Sequence, residues 1–303
     1  MINIRFDEST NKDLLAGTLQ ELYDNTDRAK LVEYPEVFKE VKTNDYYFRK
    51  MRIAGLPHGG EVADGANIPT YDPTYGQTKD WTQVRFGSGF TITKMMKKFN
   101  RHDLMEKFTR DLKKCEYEMK DIKIAQLINA PTATTYGSGF DGLSIANNGH
   151  TNLDGTTYDN RGDVDLSVTG LSDAYIYFDT IVDDTNKIAP AVPNKLIVTP
   201  QDQIRARQLV GSDKVPFSLE NTKNIFPEWD LKLFVYHRMT DADQWMLAAT
   251  EHENYGLFVA TSQEPDFVVQ DAPNTSRNTY CTSEQMFSYG FSDARYIYIS
   301  IGA

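Results

Sequence analysis

The sequence predicts a mixed α+β protein with a long helix and a strand-rich second half. One stretch carries apolar residues at helical spacing, and several short stretches are rich in β-branched and aromatic residues. An aromatic content of 12% favours sheets and large contact surfaces. A chain of 303 residues is long enough for about two domains with a sizeable core.

Residues 1–45 are mostly polar and are interpreted as a peripheral arm. Four leucines at helical spacing within this part predict one short amphipathic helix. These residues are Leu14, Leu15, Leu19 and Leu22. The remainder of the arm is predicted to be extended.

Two predicted strands, residues 46–55 and 81–96, flank a long polar loop at residues 55–80. A loop of more than about 12–15 residues is usually functional or disordered. Bulky apolar residues and tyrosines within the loop argue against disorder. Because a two-stranded hairpin is marginal alone in water, we expect this one to lie on another molecule.

The strongest helical pattern covers residues 100–129, with Asn100 as N-cap and Pro131 as the stop. At 1.5 Å per residue, such a helix is about 43 Å long. Its apolar stripe is predicted to face the core and includes Leu104, Phe108, Leu112, Met119 and Ile122. The charged residues are assigned to the opposite face, in contact with water or another protein. They are Lys107, Arg110, Lys113, Lys114, Lys120, Lys123, Glu106, Asp111, Glu116, Glu118 and Asp121.

The rest of the chain alternates helices and strands. Helices are predicted at residues 171–187 and 201–211. Strands are predicted at residues 194–200, 231–239, 244–249, 255–261, 266–271 and 287–303.

The residue pattern contains no catalytic constellation, and we expect no enzyme activity, cofactor or metal. Residues 137–142 match the glycine pattern of a dinucleotide loop, but a helix precedes them where a strand is needed. The five histidines are dispersed, and Cys115 and Cys281 have neither metal nor disulfide spacing. The tripeptide at residues 161–163 matches a cell-adhesion motif by coincidence, and the acidic pair Asp183-Asp184 is interpreted as a solvated face.

The charge and hydropathy patterns restrict the partners. A net charge of −11 opposes strong non-specific binding to nucleic acid, so only weak contact with DNA is expected. No window approaches the ~18 apolar residues of a membrane span. The cysteine usage suits a reducing cytosol.

The order of parts resembles the major capsid proteins of tailed bacteriophages, which have the Hong Kong 97 fold. Three local sequence segments are also similar to that family, namely residues 141–155, 193–210 and 294–303. The resemblance implies an N-terminal arm (1–45), an extended hairpin called the E-loop (46–96, tip 55–80) and a peripheral domain (97–168) with a spine helix (100–129). It also implies an axial domain (169–262) and a return to the peripheral domain with a closing strand (263–303).

The resemblance further implies a structural protein that assembles through hexamers and pentamers into an icosahedral head around double-stranded DNA. The loop tip would contact a neighbouring subunit through Ile68, Pro69, Tyr71, Tyr75 and Trp81. Gly59, Gly60 and Gly65 would allow the tip to bend. The expected partners are a separate scaffolding protein, a portal protein and a decoration protein, with assembly in the host cytoplasm and the virion as destination.

Three alternatives stay open at this point. The first is an encapsulin-like nanocompartment, which shares the fold but encloses a cargo enzyme. The second is a virion component that forms rings or tubes. The third is an enzyme with a site near His150 or residues 137–142. Some family members cross-link through a lysine, and Lys79 is the only lysine between Ile53 and Lys94, but no matching motif supports that chemistry here.

Overall fold

A computed structural model describes residues 10–26, 32–57, 59–99, 102–216, 223–271 and 278–302. The predicted N-cap Asn100 lies outside these residues. The helices are α1 (Thr10–Asp24), α2 (Lys94–Lys98), α3 (His102–Asn129), α4 (Val168–Thr180) and α5 (Gln203–Gly211), with 3₁₀ turns at Tyr34–Glu36 and Phe226–Trp229.

The strands fall into two main sheets and two small ones. In chain order they are β1 (Lys39–Lys42), β2 (Tyr47–Ile53), β3 (Tyr75–Thr82), β4 (Val84–Ile92), β5 (His150–Thr151), β6 (Thr157–Tyr158), β7 (Arg161–Gly162), β8 (Lys195–Val198), β9 (Lys232–Val235), β10 (Trp245–Ala248), β11 (Leu257–Asp271), β12 (Thr279–Phe291) and β13 (Ile297–Ser300). The mixed α+β class predicted from the sequence is confirmed.

The five-stranded sheet, in the order β7-β13-β10-β8-β9, lies in the main hydrophobic core. Its central strands read as nearly continuous apolar runs because both faces are covered. Helix α4 contributes Leu171, Ala174 and Phe178 to this core, and α5 contributes Ala206 and Leu209.

The four-stranded sheet, in the order β1-β11-β12-β4, carries the long helix. Helix α3 packs across β12, β4 and β11, and α1 lies beside it. The paired strands β11 and β12 form a long antiparallel hairpin with irregular register between Thr261 and Asp266. The sequence predicts two separate strands where β11 is continuous, because Pro265 interrupts the apolar pattern.

Several other predicted boundaries are wrong. The predicted loop at residues 55–80 ends where β3 begins at Tyr75, and the predicted return strand at residues 81–96 is mainly β4, which pairs with β12 and not with β2. That strand ends at Ile92, because Thr93 caps a short helix at Lys94–Lys98 by accepting a hydrogen bond from the Met96 amide. The helix predicted at residues 171–187 ends at Thr180, and residues 183–187 form a turn in which Asn186 has φ +57°.

Candidate intersubunit surface

The hairpin formed by β2 and β3 has one face against the body of its own chain. Phe48 pairs with Trp81 and Lys50 with Lys79 in the antiparallel register. Since side chains alternate between the two faces of a strand, Phe48, Lys50 and Arg52 share the inward face of β2.

Trp81 is an anchor within the subunit, and its assignment to an intersubunit contact is wrong. Only 8% of the residue is exposed. Its ring centroid lies 4.8 Å from that of Phe258 in an edge-to-face arrangement, and Phe48 and Phe140 complete the cluster. A Cβ on Gly290 would lie 2.5 Å from Trp81 Nε1, so the glycine makes room for the indole.

Two lysines of the hairpin stem are held in unusual surroundings. Lys79 Nζ donates hydrogen bonds to the carbonyls of Ser138 and Gly139. Lys50 Nζ lies 4.6 Å from the centroid of the Phe258 ring and 3.4 Å from Ser292 Oγ. Burial, with a smaller contribution from Lys39, lowers the pKa of Lys50 to about 8.

In the loop between the strands, residues 54–74, all the described residues except Ala54 are exposed. Ile68 is 79% exposed, Tyr71 43% and Tyr75 64%, and Pro69 is also exposed. Gly65 has φ +80° in a turn closed by the Ala66 amide and the Ala63 carbonyl, a conformation that favours glycine.

The loop combines apolar side chains with acidic ones. It contains Glu61, Asp64 and Asp72, and the sequence has no lysine or arginine from residue 54 to residue 78. A contiguous exposed apolar segment with a polar rim is typical of a protein–protein contact.

The long helix α3 turns a polar face toward the sheet, contrary to the sequence prediction. The charge pattern predicts a solvated face for Lys113, Glu116, Lys120 and Asp121, but each is at most 7% exposed. The apolar period predicts core positions for Leu104, Phe108 and Ile122, but they are 36%, 39% and 45% exposed. Leu112 is buried and Met119 half-buried.

Each buried charge on this face has polar contacts from a neighbouring element. Lys113 Nζ donates to the Tyr23 and Asp24 carbonyls at the end of α1, at 2.7 and 3.0 Å. Such a cation satisfies the free carbonyls of a helix C-terminus. Glu116 accepts hydrogen bonds from Ser88 Oγ and Gln285 Nε2.

The other two buried charges both contact Tyr34 in the 3₁₀ turn, and Lys120 also contacts the four-stranded sheet. Lys120 Nζ donates to Thr261 Oγ1 at 2.9 Å and lies 5.3 Å from the ring centroids of Tyr34 and Phe287. Asp121 accepts from the Tyr34 amide at 3.1 Å. Burial raises the pKa of Asp121.

The features that could suggest chemistry have structural roles. Gly139 lies against Asp141 and Phe291, and its carbonyl accepts from Lys79, so residues 137–142 form a turn that supports the hairpin. His150 Nδ1 lies 2.6 Å from Asp141 Oδ2 in a buried pair. Arg161 Nε donates to Asp163 Oδ1, so the adhesion-like tripeptide is bonded to itself.

Within the described ranges, no cluster of three or more metal-ligating side chains occurs. The same part of the chain has no helix long and apolar enough to cross a membrane.

The comparisons with known proteins find a phage capsid protein family, phage capsids and a virus-like particle. A family model described as phage capsid protein matches residues 76–300. The capsid of cyanophage P-SCSP1u superposes with a TM-score of 0.60 at 9% identity, covering 90% of this chain and 88% of that one. A virus-like particle from Pyrococcus furiosus gives a TM-score of 0.54 at 10% identity, covering 94% and 98%.

A further similar structure is the capsid of bacteriophage JBD30 decorated with minor capsid protein trimers. Its TM-score is 0.53 at 11% identity, covering 69% of this chain and 91% of that one. A search of curated proteins gives no match. The structural likeness establishes the Hong Kong 97 fold, and the family match extends over most of the chain. The chain therefore belongs to the phage capsid protein family and is a shell component of the virion.

Proposed function

We propose that this chain assembles through hexamers and pentamers into the icosahedral head that encloses phage double-stranded DNA. The loop at residues 54–74 makes the principal contact with a neighbouring copy through Ile68, Pro69 and Tyr71, together with Tyr75 at the start of β3. The observation that carries the proposal is the contrast within the hairpin, where the stem is bound to its own subunit and the loop exposes apolar side chains.

Family membership indicates a structural rather than a catalytic role. The net charge of −11 suits a shell that makes only weak contact with the DNA it contains. Each intersubunit contact is allowed to be weak, because every copy makes several and closure of the shell is cooperative.

We further propose a separate scaffolding protein, a portal protein and a decoration protein as partners, with assembly in the host cytoplasm. The JBD30 capsid, which carries minor capsid protein trimers, supports the decoration partner by analogy of fold. The second candidate function is a nanocompartment shell, which the likeness to a virus-like particle from Pyrococcus furiosus supports.

Electron microscopy of the chain, expressed alone and with its neighbouring genes, tests the proposal. Closed icosahedral particles, or sheets of hexamers, are the expected result, and the contents then separate a DNA-filled head from a compartment with protein cargo. A monodisperse monomer or a small ring under every condition would contradict it.

A further inference from the structure

The hairpin leaves the body of the subunit between two loops, residues 151–154 and 183–187. A Cβ on Gly76 would lie 2.6 Å from Leu153 Cδ2, so β3 passes directly over the first loop. Lys187 Nζ of the second loop donates to the Leu56 carbonyl, just past the end of β2. These contacts lie at the base of the exposed loop.

The ladder of the hairpin is irregular at this exit. Met51 pairs with Thr78 and Ile53 with Tyr75, so two residues of β3 lie opposite the single residue Arg52. An extra residue of this kind is a β-bulge, which bends the strand and changes the direction of the chain beyond it. The bend therefore lies opposite Arg52, at Gly76 and Gln77 of β3.

The Arg52 side chain is 6% exposed and is bound to the body on two sides. Its Nε and Nη2 donate to the two oxygens of Asp184, the first at 3.1 Å, and its Nη1 donates to the Thr151 carbonyl at 2.8 Å. A planar guanidinium that bridges a carboxylate in this way fixes orientation as well as distance.

Asp184 is itself held in place by the body. Its side chain is 10% exposed, and Arg295 Nη2 donates to the same oxygen as Arg52 Nη2. Arg295 also contacts Asp293, so the buried group has two positive and two negative charges. Asp183 fixes the turn by accepting from the Thr185 and Lys187 amides at 2.8 and 2.9 Å.

We infer that Arg52 is the positioning residue of the intersubunit loop: its pairing with Asp184 fixes the angle at which the hairpin leaves the subunit. This inference rests on the proposed function, because the angle decides which part of a neighbouring copy the loop reaches. Desolvation offsets much of the attraction within a buried ion pair, so we assign its main effect to geometry. Removing Arg52 costs stability, but Asp184 stays paired with Arg295, so we expect the body to keep its fold.

The test compares Arg52→Met with Arg49→Met in the unassembled subunit. Arg49 lies on the outward face of the same strand and pairs with Asp80, and both side chains are exposed. Spin labels on Ile68→Cys and on the native exposed Cys115 report the distance between the loop and α3, while Cys281 is buried.

We expect Arg52→Met to make the distance distribution about twofold broader or to shift its mean, because the loop loses its fixed direction. Arg49→Met should match the parent. Equal distributions in the two variants would overturn the inference. If Arg52→Met does not fold, Arg52→Lys replaces it, since an ammonium keeps the charge without bridging two oxygens, and the same outcomes apply.

Particle morphology is the second readout. Arg52→Met should give particles of mixed size or open sheets, and Arg49→Met should give those of the parent. Uniform parental particles from Arg52→Met would also overturn the inference. If the parent chain forms no particles at all, the proposed function fails, and the distance measurement still decides the role of Arg52.

Discussion

The stem and the loop of the hairpin are adjacent in sequence but differ in what surrounds them. The stem has buried aromatic contacts through Trp81 and a buried ion pair through Arg52. The loop at residues 54–74 exposes apolar side chains along most of its length. The difference supports two separate functions for one hairpin: attachment to its own subunit through the stem and the proposed contact with another subunit through the loop.

The largest expected effect comes from removing the loop and leaving the stem. Replacing residues 57–73 with a short Gly-Ser linker should abolish closed shells, because the proposed contact with the neighbouring copy is lost. The subunit should keep its melting temperature, since the stem contacts remain. Electron microscopy and thermal denaturation measure the two outcomes, and normal shells from this variant would remove the distinction between stem and loop.

The next comparison places one substitution in the stem and one in the loop. Trp81→Ala should lower the free energy of unfolding by about 3–5 kcal/mol, because it leaves a cavity between Phe258 and Phe140. Ile68→Ala should change it by less than about 0.5 kcal/mol, since that side chain is exposed in the subunit. Urea denaturation of the unassembled protein gives both values, and equal values would show that Trp81 is not an anchor.

The two faces of α3 supply the third comparison. Leu112→Ala should destabilise the subunit by about 2–5 kcal/mol, as expected for a buried leucine. Phe108→Ala should cost about 1 kcal/mol or less, because Phe108 is 39% exposed and keeps one face in solvent. The free energy of unfolding of the two variants measures the difference. A larger loss of stability from Phe108→Ala than from Leu112→Ala would support the core position that the apolar period predicts for Phe108.

The smallest expected effect is a change in pH dependence. The folded state lowers the pKa of Lys50 from 10.5 to about 8, so the unfolded chain binds more protons between these values. Stability contributed by this group therefore rises as the pH rises from about 8 toward 10.5. Lys50→Met should flatten this part of the stability curve, and Lys42→Met, at an exposed position of β1, is the matched control. An unaltered slope in Lys50→Met would show that the amine is solvated in the folded state.

The sequence predicts the main elements of the fold well. The apolar period places the long helix within two residues of His102–Asn129, and the β-forming run at residues 46–55 locates β2, but its partner β3 lies mostly within the predicted loop. These features are local, so periodicity and composition are enough to find them.

The orientation of the spine helix cannot be predicted in the same way. The period places Leu104, Phe108 and Ile122 on one stripe, but it does not say what the stripe faces. Lys113 and Glu116 are buried because other elements supply their hydrogen-bond partners. The end of α1 accepts from Lys113, and side chains of β4 and β12 donate to Glu116. Those partners are far away in sequence.

The same limit applies to the contacts that hold the hairpin on its own subunit. The sequence indicates a solvated pair at Asp183-Asp184, and only the fold brings Asp184 to Arg52, 132 residues away. Trp81 is grouped with the loop in the sequence because it lies next to it in the chain. Tyr75 and Trp81 are six residues apart, so simple alternation along β3 would place them on the same face. The bulge between them, which the sequence does not show, turns Tyr75 outward.

The most direct test is a cryo-electron microscopy map of particles assembled from this chain. We expect density for residues 54–74 on the surface of an adjacent copy, with Ile68 and Tyr71 in contact and Trp81 enclosed within its own subunit. A loop that folds back on its own subunit, or that has no density in an otherwise well-defined shell, would contradict its role as the intersubunit contact.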